Sequence, residues 1–270
     1  MAASGQDPQQ MGFFEHLEAL RPHLVRSGVV LCVLLVAAFC CKRLLIDELL
    51  FGPLHAGFPT NRLLMRLADL SGIDYTLPTL DRLQLINTTL AGQFNLHLRI
   101  SFIAAFVLGF PYLLWELWRF ARPALTPREQ RLCRNTAGRV ALAFIGGMLF
   151  GYFILAPLSI AFLAGYTASA AVRNLIEVDS YLSTVVQVSI ACGVLFQLPL
   201  LVQLLTRMGI LSAAWMRRHR RHAIVALALL AAVVTPPDAF SMLLVLAPLA
   251  GLYQYSIGVA ERAERQREAR

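Results

Sequence analysis

A chain of 270 residues that is 57% hydrophobic and only 15% charged is not a soluble domain, which carries about 25% charged residues and under half apolar ones. Its net charge of +8 comes almost entirely from arginine, Lys42 being the lone lysine. Such a basic excess serves nucleic-acid binding only on a soluble face. Here it is interleaved with long apolar runs, so the composition describes a polytopic membrane protein.

The N-terminal stretch MAASGQDPQQMGFFEHLEALRPHL has neither a basic start leading into an apolar core nor a small-residue cleavage site. The first apolar run is therefore expected to stay in the mature protein. Crossing a bilayer takes about 20 apolar residues in a helix, and the runs at about 22–41, 100–118, 138–158 and 181–205 meet that length. Two more, about 222–234 and 239–258, flank the stretch VVTPPDAFSM. The third run holds Gly146, Gly147 and Gly151, which suits close helix approach. Pro111, Pro199 and Pro248 are expected to kink the second, fourth and sixth helices. Between the first two runs lies an outer loop, about 44–98. Leu83, Ile86, Leu90, Phe94 and Leu98 recur there at helical spacing, as Leu63, Leu67 and Leu70 do more weakly. The reading is amphipathic helices on the membrane surface or capping the bundle. Cys32, Cys40, Cys41, Cys133 and Cys192 show no ligand spacing and read as packing residues.

Arginines set the orientation. Segments 1–26, 119–139, 207–222 and 259–270 hold 17 of the 24 basic residues, and the stretches between them hold the rest. Positive charge marks the cytoplasmic side, so the alternation requires six crossings with both termini inside. The expected layout is a cytoplasmic segment 1–21, a six-helix membrane domain 22–258 and a basic tail 259–270. AIVALALLAAVV, at 12 residues, makes about 18 Å of helix, well short of a hydrocarbon core about 30 Å thick. Pro236 and Pro237 end this fifth helix, and Asp238 caps the sixth. A short hairpin of this kind thins the bilayer locally.

The motifs, taken in order, resemble the TatC family, the receptor subunit of the twin-arginine protein translocase. They are HLEALR (His16 to Arg21), FGPL with Pro53, PYLLWELWRFARPALTPREQR (Pro111 to Arg131), LFQLP (Leu195 to Pro199) and TPPDAFS (Thr235 to Ser241). The resemblance covers nearly the whole chain. It implies an all-α membrane bundle, concave, with short fifth and sixth helices, in the bacterial inner membrane. It also implies a non-enzymatic receptor for signal peptides with paired arginines. That receptor recruits TatA- and TatB-like single-span partners, self-associates, and exports folded cargo on proton motive force, with no cofactor.

A diarginine ligand needs carboxylates, which pair with guanidinium bidentately. Glu129 matches the family's loop glutamate and is the leading contact, the alternative being a local ion pair with Arg128, Arg131 or Arg134. Phe120 and Leu125 match the same signature and either shape the site or pack the helix end. At the N-terminus Ala19 stands where the family has glutamate, and Glu18 is carried over as a second contact although it is about 100 degrees out of register. Glu116 either pairs with a ligand arginine or snorkels toward the headgroups. Gln197, where many members have glutamate, bonds a neighbouring helix or a partner's transmembrane helix. Met242 follows the last motif where glutamine is common, which makes any contact there apolar. A secondary transporter is the main rival reading. It calls for internal repeats and a charged midplane site, and the acids here cluster at the membrane edges.

Overall fold

The computed structural model describes residues 13–71, 83, 85–121, 136–166, 169, 174–235 and 238–268. Nearly all of them are helical. The chain divides into two compact units, residues 1–40 with 101–141 and residues 41–100 with 142–270.

The first unit is built on α1 (Phe13–Cys40) and the C-terminal part of α3 (Gly92–Ala121). Gly109 lets the two helices meet: a Cβ there would lie 2.9 Å from Leu31 Cδ2. Pro22 and Pro111 are both accommodated inside these helices.

In the second unit, a wide helical turn at Leu44–Leu50 and a tight turn at Gly52–Leu54 lead to α2 (Pro59–Ser71). The turns are anchored from below. Tyr152 Oη donates to Leu49 O at 2.6 Å and Tyr181 Oη to Leu50 O at 2.9 Å. Phe58 stacks on Phe153, and Thr60 donates to the Phe153 carbonyl. The loop helix expected around Leu63 to Leu70 is present as α2. Of the one expected from Leu83 to Leu98, Phe94 and Leu98 are helical, at the start of α3, but Leu85–Ile86 forms a short strand, β1, paired in parallel with β2 (Ile176–Glu177). An amide ladder to a second loop satisfies the backbone here, and the spacing of leucines alone could not reveal it. Helix resumes at Gly92, upstream of the expected span.

The third apolar run is α4 (Thr136–Phe150), a wide turn at Gly151–Leu155 and α5 (Ala156–Gly165). The fourth is α6 (Val178–Leu195) and α7 (Leu198–Arg207), broken at Phe196 and Gln197, with Pro199 in the first turn of α7. Proline lacks the N–H that a continuous helix would use there, and the first turn of a new helix does not need it. Glycine brings α4 and α6 together: a Cβ on Gly147 would sit 2.5 Å from Cys192 O, and one on Gly151 2.8 Å from Ser189 Cα. α8 (Ala213–Arg218), α9 (Arg220–Val234) and α10 (Ala239–Glu268) complete the unit. Its core joins Leu155, Val188, Val202, Met216, Leu227, Val245 and Leu249.

Among the described residues, five helices are long and apolar enough to cross a membrane: Leu20–Cys40, Gly92–Phe120, Gly138–Gly165, Val178–Arg207 and Ala239–Gln266. α9, at 15 residues, spans about 22 Å. α10 continues ten residues past the expected end of its span at 258. Ala260 and Ala263, 0% and 2% exposed, are the reason: small side chains at i and i+3 give that end of the helix a packed face. Cys32, Cys40 and Cys41 are exposed free thiols, and Cys192 is buried in the core.

Candidate functional site

In the first unit the close approach at Gly109 brings α1 alongside the last turns of α3. Four polar side chains meet there. Tyr112 and Glu116 stand one turn apart on α3, and His23 and Arg26 nearly one turn apart on α1, so each pair shares a helix face. Glu116 is 1% exposed. His23 Nδ1 lies 2.8 Å from Glu116 Oε2, and Tyr112 Oη donates to Oε1 at 3.2 Å. The Arg26 guanidinium approaches Oε1 at 3.9 Å from an exposed position. A carboxylate taken out of water is tolerated only when its oxygens are hydrogen-bonded and its charge is met, and this group supplies both.

Phe120, one turn further along α3, packs edge-on against His23 with ring centroids 5.8 Å apart. Arg119 lies over Trp115 at 5.4 Å, a cation–π contact. The Glu116 carboxylate therefore does not snorkel. It is held inside by the protein's own donors, with Arg26 at hydrogen-bonding range only through further movement. His23, Arg26 and Tyr112 were not singled out as site residues from sequence. Their spacing at i,i+3 and i,i+4, at the ends of two apolar runs, is the signal that could have found them.

Glu18 is exposed on α1, apart from this group. Glu129 and Leu125 lie outside the described residues, as do Pro236 and Pro237. In the second unit, Gln197 occupies the break between α6 and α7, and its Nε2 donates back to Gly193 O at 3.2 Å. Met242 is half-buried against the core. Asp238 Oδ1 accepts the Ser241 N–H at 2.6 Å, at the start of α10. Pro53 is buried, and its carbonyl accepts from Asn61 Nδ2 at 2.7 Å. Among the described residues, no three His, Cys, Asp or Glu side chains gather as a metal site requires.

Long apolar helices joined by tight glycine contacts, with the charged side chains of the described residues gathered toward their ends, define a helical multi-pass membrane protein. The family model described as Sec-independent protein translocase protein (TatC) matches residues 15–248. The Sec-independent protein translocase protein TatC of Blattabacterium sp. subsp. Periplaneta americana is 34% identical over 257 residues, covering 94% of this chain and 96% of its own. That of Deinococcus radiodurans is 35% identical over 245 residues, covering 90% and 83%. A crystal structure of the twin-arginine translocase receptor TatC superposes with a TM-score of 0.69 at 26% identity, covering 92% of this chain and 99% of that one. The chain belongs to the TatC family and is a component of a Sec-independent protein translocase, a bacterial multi-pass membrane protein.

Proposed function

We propose that this chain is the core receptor of the twin-arginine translocase. It binds the signal peptides of folded proteins on the cytoplasmic face of the inner membrane. The site lies at the joined ends of α1 and α3 and in the loop that follows. Glu129 is the leading contact for the paired arginines, with Glu18 second, and Phe120 and Leu125 shape the surface. The observation that carries the reading is the buried Glu116. A carboxylate already desolvated, with the cation Arg26 only loosely engaged at 3.9 Å, can exchange that partner for an incoming guanidinium and its fixed fork of donors. His23 and Tyr112 hold it in place during the exchange.

The topology proposed with this reading has six crossings and both termini inside, α9 being the short fifth crossing. Its length, about 22 Å, draws the two leaflets together beside α10. TatA- and TatB-like single-span partners are recruited near Gln197 and Met242, and proton motive force drives passage through the thinned region.

Site-specific crosslinking tests the reading. A photoreactive group at 129, and in parallel at 18 and 116, is presented in membranes with a twin-arginine signal peptide and with its twin-lysine counterpart. An arginine-dependent crosslink is expected from 129. A crosslink from 18 or 116 alone moves the site, and none from any of the three removes the receptor reading. Lengthening α9 by a few leucines should abolish export while leaving the crosslink intact; normal export through the lengthened helix would end the thinning proposal.

A further inference from the structure

The arginines of the third basic segment, 207–222, divide into two sets. The last helix engages the first set: Arg207 Nη2 donates to Gln266 Oε1 at 3.3 Å, and Arg217 pairs with Glu261. From the same side α10 fixes α8 itself. Glu264 Oε1 accepts the Ala213 N–H at 2.8 Å and Tyr253 Oη donates to Met216 O at 2.9 Å, over the buried side chains of Ala213 and Met216. The second set, Arg218, Arg220 and Arg221, is exposed and meets no carboxylate among the described residues. None is close in sequence either, because residues 208–237 contain no Asp or Glu.

Arg221 heads a stripe on α9. Val225, Leu229 and Val233 follow it at i+4 intervals and are 69%, 69% and 71% exposed. Trp215, 53% exposed, lies on α8 with its ring 4.4 Å from that of His219. An exposed tryptophan, guanidinium groups that meet no carboxylate and an apolar stripe follow one another along the chain, and they match the parts of a lipid: interface, phosphate, acyl chain.

We propose that this corner is a binding site for an anionic phospholipid, its phosphate held by Arg218, Arg220 and Arg221 and one acyl chain lying along Val225, Leu229 and Val233. Guanidinium meets phosphate oxygens two at a time. A zwitterionic lipid fills the same stripe but leaves three cations without net compensation. The short α9 favours occupancy, since it brings headgroups inward to the arginines. The clamp from α10 holds α8 still, so the lipid orders few side chains on binding. The site is independent of the receptor reading and stands if that reading fails.

The test is lipid retention by the full chain purified in detergent, followed by native mass spectrometry during titration with phosphatidylglycerol or phosphatidylcholine. Phosphatidylglycerol should be retained preferentially. Each arginine near an anionic headgroup contributes about five-fold, so R218Q/R220Q/R221Q should weaken retention on the order of 100-fold. The outer-loop control R62Q/R66Q should change it by less than about two-fold. Single substitutions carry the same information should the triple variant not fold. Equal retention of the two lipids, or retention unchanged by every substitution, overturns the proposal. So does full competition by inorganic phosphate, which would assign a free-phosphate site, and so does lipid displacement by a single-span apolar peptide, which would assign the stripe to a helix.

Discussion

Gly146 and Gly147 are neighbours on α4 with opposite surroundings, and replacing each by alanine should move stability in opposite directions. At Gly147 the added Cβ would stand 2.5 Å from the Cys192 carbonyl oxygen and 2.7 Å from Phe196 Cβ. Neither is the end of a flexible side chain, so α4 and α6 must separate. Overpacking of this kind costs about 1–3 kcal/mol, and the backbone collision puts it near the upper end. Alanine's better helix propensity returns roughly 0.5–1 kcal/mol. The net expectation for Gly147→Ala is a loss of about 2 kcal/mol. At Gly146 nothing lies within 4 Å of the added atom, so only the propensity gain remains. Thermal unfolding of the two purified variants in one detergent, followed by circular dichroism, should place Gly147→Ala below the parent and Gly146→Ala at or above it. Equal midpoints, or the reverse order, would refute the claim that glycine at 147 is there for helix contact.

Asn61, 3% exposed, donates to the carbonyls of Pro53 and His55; the His55 carbonyl also accepts the Phe58 N–H, so Asn61→Ala strands the Pro53 carbonyl and should cost about 1–3 kcal/mol, read as a lowered unfolding midpoint. Asp238→Ala removes the acceptor for the Ser241 N–H and should cost about 1 kcal/mol, most of it regained in Asp238→Ser; no difference between the two would argue against capping. Glu264→Ala frees the Ala213 N–H, and trypsin should then cut at Arg217 and Arg218 about five-fold faster, the effect of about 1 kcal/mol of local stability.

The apolar runs were legible because membrane crossing imposes a length and a composition that no neighbour can override. The glycine contact of α4 could likewise be anticipated, since close packing in lipid selects small residues. What escaped the sequence depends on partners far along the chain. Ile86 falls at a spacing from Leu83 and Leu90 that imitates a helix, and only the pairing with Ile176 and Glu177 makes Leu85–Ile86 a strand. The residues 259–268 read as a basic tail because their charges are conspicuous, while the buried Ala260 and Ala263 among them are not. Glu116 was recognised as an unusual position. Its donors were harder to see, because His23 lies 93 residues away and the pairing requires α1 and α3 to cross near Gly109.

The parallel pairing of Leu85–Ile86 with Ile176–Glu177 also sets an order of events during synthesis. Parallel strands cannot be joined by a hairpin, and the connection here runs through α3, α4 and α5. The second strand leaves the ribosome about 90 residues after the first, which at 5–20 residues per second is roughly 5–20 s. Throughout that interval the first strand's amides have no partner from this chain. The bond between the two loops thus closes only after α3, α4 and α5 have been synthesised, so it is a late contact that joins two loops far apart in the order of synthesis.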